Sequence, residues 1–247
     1  MVRSSKIFIL NKAVSVMKIG IYGGTFNPPH LGHLAAARTA VDVLGLDKLL
    51  IIPDAIPPHK ELPEGTPNPE HRLAMAAKMA DVLLMPEVAE ASPMELDRAG
   101  KSYTADTLAQ LKEEHPGAEL WLLMGTDMFL TLHLWREPER ILELAGVCAF
   151  GRTEQDGEEL FAPQREHLQK AYPGAKITTI TLPGLVDVSS TRLRELLARG
   201  GGGEYLPPSI YGYILRNGLY GARADLKHLD IPELRACSYS MVMEKRV

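Results

Sequence analysis

The stretch Lys18-Ile19-Gly20-Ile21-Tyr22-Gly23-Gly24-Thr25-Phe26-Asn27-Pro28-Pro29-His30-Leu31-Gly32-His33 passes from a short apolar run, through glycines and prolines, into an amphipathic segment. The apolar run reads as a buried strand and the segment over 31–44 as a helix. The same alternation continues outward. Further strands are expected at 48–52, 119–124, 147–150 and 176–182, and further helices at 69–80, 104–114, 158–172, 191–199 and 207–216. Such alternation specifies an α/β fold, a parallel sheet wound with helices on both faces. Ligands bind such sheets outside the carboxyl ends of the strands, where this chain places its glycine-proline loop and two further proline-rich loops over 53–69 and 183–189.

Composition bounds the rest. The chain has 247 residues, 45% of them hydrophobic, and a formal charge of −4. That length suits one large domain with at most a small appendage, and it supports a full core without staples. We read residues 1–16 as an N-terminal extension, 17–221 as the main domain and 222–247 as a charged helical tail, a linker to or the start of a second domain. Cys148 and Cys237 make no CxxC pair or disulfide framework, so a reducing cytoplasm is expected. Arg3 and Lys6 precede an apolar stretch too short for a signal peptide, and no run approaches the roughly 18 apolar residues of a membrane span. The acidic balance argues against a nucleic-acid polymer as partner while allowing a small anionic ligand. A homo-oligomer is left open.

The opening stretch suits a phosphate. Adjacent Gly23 and Gly24 let the backbone turn sharply and approach a ligand closely. His30 and His33 stand on one face near a helix N-terminus, whose N–H groups and dipole favour an anion. Competing readings are a tight turn with two surface histidines and an HxxH zinc pair, although no third ligand stands at a zinc-site spacing. A second anchor is Val188-Ser189-Ser190-Thr191-Arg192-Leu193-Arg194, opening a helix after the last strand. Its hydroxyls cap helices well and also suit phosphate oxygens, though a capped surface helix with two solvent arginines reads similarly. Other motifs fail: Gly100-Lys101-Ser102 ends like a P-loop, but Glu95 holds the place of its earlier glycine, and neither G-x-G-x-x-G nor G-x-S-x-G is present.

Gly24-Thr25-Phe26-Asn27-Pro28-Pro29-His30-x-Gly32-His33 resembles the HxGH signature of the nucleotidyltransferase superfamily, and Val188 to Arg194 resembles its I-S-S-T-x-x-R motif. The resemblance implies a Rossmann-like, doubly wound fold and transfer of a nucleotidyl group from a nucleoside triphosphate. It implies catalytic roles for His30, His33 and Arg194, with Arg192 on a different side of the helix. It further implies ATP contacts from Gly23, Gly24, Thr25, Phe26, Gly32, Ser189, Ser190 and Thr191. Three more stretches are similar, in order and spacing, to bacterial nicotinate mononucleotide adenylyltransferases of NAD biosynthesis: Pro57-Pro58-His59-Lys60, Lys101-Ser102-Tyr103-Thr104-x-x-Thr107-Leu108, and Gly125-Thr126-Asp127 followed by Trp135. By that likeness Lys60, Tyr103, Thr104, Gly125, Asp127 and Trp135 contact the pyridine nucleotide. Taken alone, Trp135 also reads as core, Thr104 as a helix cap and His59-Lys60 as a solvated loop tip.

The family reaction implied is transfer of AMP from ATP to nicotinate mononucleotide, with Mg²⁺ accompanying ATP and no metal ligand assigned to the protein. Asn27 departs from an aspartate common in the family, and Ala55 from an asparagine. Phosphopantetheine adenylyltransferases and cytidylyltransferases share the HxGH loop, a regulator would bind ATP without turnover, and nicotinamide mononucleotide differs from the acid by one amide. Trp135 and the Ser-Tyr-Thr segment favour a pyridine nucleotide.

Overall fold

The computed structural model describes residues 16–57, 61–98, 100–151, 156–182 and 188–223. Six strands form one parallel sheet: β1 (Lys18–Gly24), β2 (Lys48–Pro53), β3 (Ala89–Ala91), β4 (Glu119–Gly125), β5 (Ala145–Phe150) and β6 (Ile177–Ile180). Their order is β3-β2-β1-β4-β5-β6. The helices are α1 (Leu31–Leu44), α2 (Pro69–Val82), α3 (Thr104–Glu114), α4 (Thr126–Leu130), α5 (Pro138–Leu144), α6 (Glu158–Ala171), α7 (Ser190–Ala198) and α8 (Pro208–Arg216).

Strand side chains alternate between two apolar faces. Ile19, Ile21, Leu50, Ile52, Leu120, Leu122 and Val147 join one core, covered by α3, α4, α5 and α6 through Leu108, Leu111, Phe129, Ile141, Phe161 and Leu168. Tyr22, Leu49, Ile51, Trp121, Leu123, Cys148 and Phe150 join the other, covered by α1, α2, α7 and α8 through Ala36, Ala40, Met75, Met79, Leu193, Leu197, Ile210 and Ile214. The sheet is therefore doubly wound, as the alternation requires. Trp121 on β4 pairs with Gly146 on β5, and a Cβ at Gly146 would lie 2.8 Å from the indole, so the bulk of one residue dictates glycine at the other. Burial beside them pushes the free Cys148 thiol up to about 12.

The five expected strands are all present, and the helices expected at 31–44 and 104–114 match residue for residue. β3 was not expected. It is three residues of Ala-Glu-Ala at the sheet edge, weak strand formers whose conformation comes from pairing Leu49 with Ala89 and Ile51 with Ala91. The short α4 and α5 were also unread, although Pro138 at the first turn of α5 is a start signal. The expected extension over 1–15, the tail over 224–247, Lys60 with its neighbours Pro58 and His59, and residues 183–187 of the last proline-rich loop lie outside the described residues. Among the described residues no helix is long and apolar enough to cross a membrane.

β1 pairs with β2 on one side and β4 on the other, and the chain winds from β1 through β2 to β3, then crosses back to β4 and on to β5 and β6. That reversal opens a crevice between the carboxyl ends of β1 and β4.

Candidate active site

The crevice is a cleft of about 550 Å³. Its β1 side starts at Gly23 and Gly24, which the structure keeps in the strand rather than in the sharp turn expected of them. The turn falls instead on Phe26, at a left-handed φ of 48°, followed by a cis Asn27–Pro28 peptide. Close approach remains available: a Cβ at Gly23 would meet no atom within 4 Å, and the residue lines the cleft. Phe26 is buried against Tyr22, ring centroids 5.5 Å apart, which fixes the loop that delivers the histidines.

His30 caps α1 in extended conformation and is buried, and His33 stands three residues on. The His30 backbone N–H donates to Nδ1 of His33 at 3.2 Å, and the ring centroids are 3.9 Å apart. With Nδ1 accepting, a neutral His33 carries its proton on Nε2 and is a donor there. Both rings line the cleft at the positive end of α1. Gly32 lies between them in the first turn and is not among the lining residues.

α7 closes this side. Ser189 caps it, its Oγ accepting from Arg192 N at 3.2 Å. Ser190 Oγ donates to the Pro28 carbonyl at 2.9 Å, and Arg194 Nη1 donates to the Asn27 carbonyl at 2.8 Å while Nη2 donates to Thr191 Oγ1 at 3.1 Å. Ser189, Ser190, Thr191 and Arg194 all line the cleft, whereas Arg192 pairs with Glu195 on the surface, as its helical position demands. The hydroxyl hydrogen of Ser190 holds the loop, and its oxygen lone pairs remain acceptors.

Two residues that sequence reading passed over brace the loop. Arg72 on α2 is 1% exposed. Its Nη1 donates to the Thr25 carbonyl at 3.2 Å, to the Asp54 carbonyl at 2.6 Å and to Asp54 Oδ1 at 3.1 Å, while Thr25 Oγ1 donates to Asp54 Oδ2 at 2.9 Å. The signal was readable: Arg72 stands on the same helical stripe as Met75, Ala76 and Met79, and Asp54 directly follows a strand end. Asn27 Nδ2 donates to Thr66 Oγ1 at 2.9 Å, so this residue links the two loops.

The β4 side carries the other predicted residues. Gly125 ends β4 and Asp127 lies in the first turn of α4, both lining the cleft. Tyr103 caps α3 and Thr104 is its first helical residue, so the capping position falls one residue earlier than the competing reading of Thr104 supposes. Trp135 follows the helical turn Leu132–Leu134 and packs partly on the core while lining the cleft. Behind Tyr103 lies a buried polar cluster that was also missed. Ser102 Oγ accepts from Ala55 N at 3.0 Å, and Thr107 Oγ1 donates to Glu95 Oε1 at 2.6 Å. Burial raises the Glu95 carboxyl above its ordinary value, opposed by hydrogen bonds from Thr107 and Ser102 and by Arg98, and reinforced by the charge of Asp54. The Ala55 backbone thus does structural work at a position whose side chain is only methyl.

The cleft therefore joins two histidines at the positive end of α1 and an arginine to a wall that carries Tyr103 and Trp135. Residues 21–196 match the cytidylyltransferase-like family model. A "probable nicotinate-nucleotide adenylyltransferase" of Trichlorobacter lovleyi is 39% identical over 216 residues, covering 83% of this chain and 99% of that protein. The chain belongs to the nicotinate-nucleotide adenylyltransferase family. A member from Neisseria meningitidis serogroup B, under the same name, is 34% identical over 213 residues, 82% of this chain and 98% of its own. The fold matches that of Plasmodium falciparum nicotinic acid mononucleotide adenylyltransferase complexed with NaAD, with a TM-score of 0.67 at 20% identity over 84% of this chain and 98% of that one. The predicted site residues that the structure describes, Gly32 apart, are gathered by this family member into one cleft.

Proposed function

We propose that the protein transfers AMP from ATP to nicotinate mononucleotide, releasing pyrophosphate and nicotinate adenine dinucleotide. The observation that carries this reading is the convergence of His30, His33 and Arg194 with Tyr103 and Trp135 along one cleft at the sheet's switch point. A phosphate monoester acceptor is already ionised at neutral pH, so attack on the α-phosphorus of ATP needs no general base. The protein's task is alignment and stabilisation of the charge that develops on the triphosphate. His30 and His33 stand at the positive end of α1, and His33 Nε2 supplies a donor. Arg194 adds a guanidinium from the facing helix. Tyr103 and Trp135 give the pyridine ring flat apolar surface, and the first turn of α3 offers N–H donors to its carboxylate.

ATP enters as its Mg²⁺ complex, the metal belonging to the substrate. Among the described residues no three His, Cys, Asp or Glu side chains converge on a common point, Asp54 is held by Arg72 and Thr25, and Asn27 contributes a neutral amide.

The test is pyrophosphate release from ATP and Mg²⁺ with nicotinate mononucleotide, nicotinamide mononucleotide and phosphopantetheine in parallel. Release with the first far above the others is expected, and His33→Ala should lower turnover about 10²–10³-fold. Preference for phosphopantetheine, or a His33→Ala protein with nearly full turnover, would overturn the reading.

A further inference from the structure

We propose that Arg136 is a specificity-determining residue: its guanidinium, laid over the Tyr103 ring at the acceptor end of the cleft, selects an acceptor whose ring bears an ionised carboxylate over one bearing a neutral amide. The inference rests on the adenylyltransferase reading above and concerns how that site reads one charge.

Four carboxylates line the cleft among the described residues: Asp54, Glu61, Glu95 and Asp127. An acceptor that brings a ring carboxylate in addition to its phosphate enters an already acidic wall. Two guanidinium groups line the same cleft, and Arg194 is committed to the Asn27 carbonyl at the histidine end. Among the described residues that line the cleft, Arg136 is the cation beside Tyr103 and Trp135. Its Cζ lies 4.2 Å from the Tyr103 ring centroid, a cation–π contact that orients the guanidinium without using its N–H donors.

Glu137 is held at a left-handed φ of 55°, and its carboxylate is shared: Oε1 is 3.1 Å from Arg136 Nε and Oε2 is 3.1 Å from Arg140 Nη1. Glu137 is thus divided between two arginines and is not the exclusive partner of Arg136. The Arg136 contact with Glu137 uses Nε, so the terminal Nη groups make no hydrogen bond among the described residues. A guanidinium presented this way matches a carboxylate with two parallel hydrogen bonds. A carboxamide offers one oxygen and turns an NH₂ donor toward the cation, so it loses both the charge and the second bond. Arg136 is also about half exposed, with 53% of its side chain open to solvent, so its preference is moderated by water and salt.

The experiment compares kcat/KM for nicotinate and nicotinamide mononucleotides in the full-length wild type, Arg136→Gln and Arg136→Lys. Arg136→Gln should lower kcat/KM for the acid about three- to tenfold, mainly through KM, with the amide changed less than about twofold. Arg136→Lys should recover part of the acid preference, because it restores charge without the planar fork. Raising salt to about 0.5 M should shrink the wild-type acid-to-amide ratio and leave that of Arg136→Gln nearly unmoved. Equal losses on both acceptors would assign Arg136 to general packing and overturn the proposal, as would an unchanged ratio. If wild type discriminates and Arg136→Gln discriminates equally, the inference fails alone; if wild type uses neither acceptor, the underlying reading fails with it.

Discussion

At the β1 end of the cleft, side chains grip backbone carbonyls, whereas at the β4 end they stack on one another and face water. Arg194, Ser190 and Arg72 fasten the carbonyls of Asn27, Pro28 and Thr25, and the partners come from α7 and α2. Across the cleft, Arg136 lies on Tyr103, Trp135 is half-buried and Asp127 is exposed. In the proposed reaction the first end handles a triphosphate, whose charge development tolerates little displacement. In the same proposal the second distinguishes acceptors, through exposed side chains whose contacts change without disturbing the frame. Fixed chemistry and adjustable selectivity are thus housed in parts of different rigidity.

The largest effect is expected where the rigid end is held. Arg72→Met removes the partner of a largely buried carboxylate, so it should cost about 3–5 kcal/mol of stability, read from urea unfolding. Adding Asp54→Asn should return part of that loss, because no charge is then left stranded. A stable Arg72→Met protein would mean that the β1 loop does not depend on its brace, and the contrast would collapse. On the adjustable side, Trp135→Ala should raise KM for nicotinate mononucleotide about fivefold, roughly 1 kcal/mol, while KM for ATP stays put. A matching rise for ATP would merge the two ends into one unit.

The smallest effect concerns the cluster behind Tyr103. Burial, against the hydrogen bonds of Thr107 and Ser102, holds the Glu95 carboxyl above its ordinary 4.5. A carboxyl raised by folding binds more protons folded than unfolded. Wild-type stability contributed by this group therefore declines as pH rises from its unfolded value through its raised folded value, and levels off above that. Glu95→Gln should lack this decline, visible in the difference between unfolding midpoints measured from about pH 4 to 8. Parallel pH profiles for the two proteins would show that Glu95 titrates as in water.

Most of the sheet was legible because strands buried on both faces announce themselves as apolar runs, and HxGH names its loop. What escaped was written in three dimensions. β3 is a strand only because β2 lies beside it. Asp54 and Arg72, eighteen positions apart, become meaningful when β2 and α2 bring them into contact. Glu95 entered the sequence reading merely as the residue that spoils a P-loop, and Arg136 did not enter it at all. The two adjacent glycines were assigned a turn that Phe26 carries, since glycine's freedom in sequence does not say whether a fold uses it.

The reach of Ser190 and Arg194 back to Pro28 and Asn27, 162 and 167 residues away, also sets an order of events on the ribosome. At about 5–20 residues per second, roughly 8–33 s separate synthesis of the loop from synthesis of its clamp. A nascent chain halted before Ser190 carries both histidines on a loop that α7 has yet to fasten. The two histidines are made early, and the site they belong to is finished late.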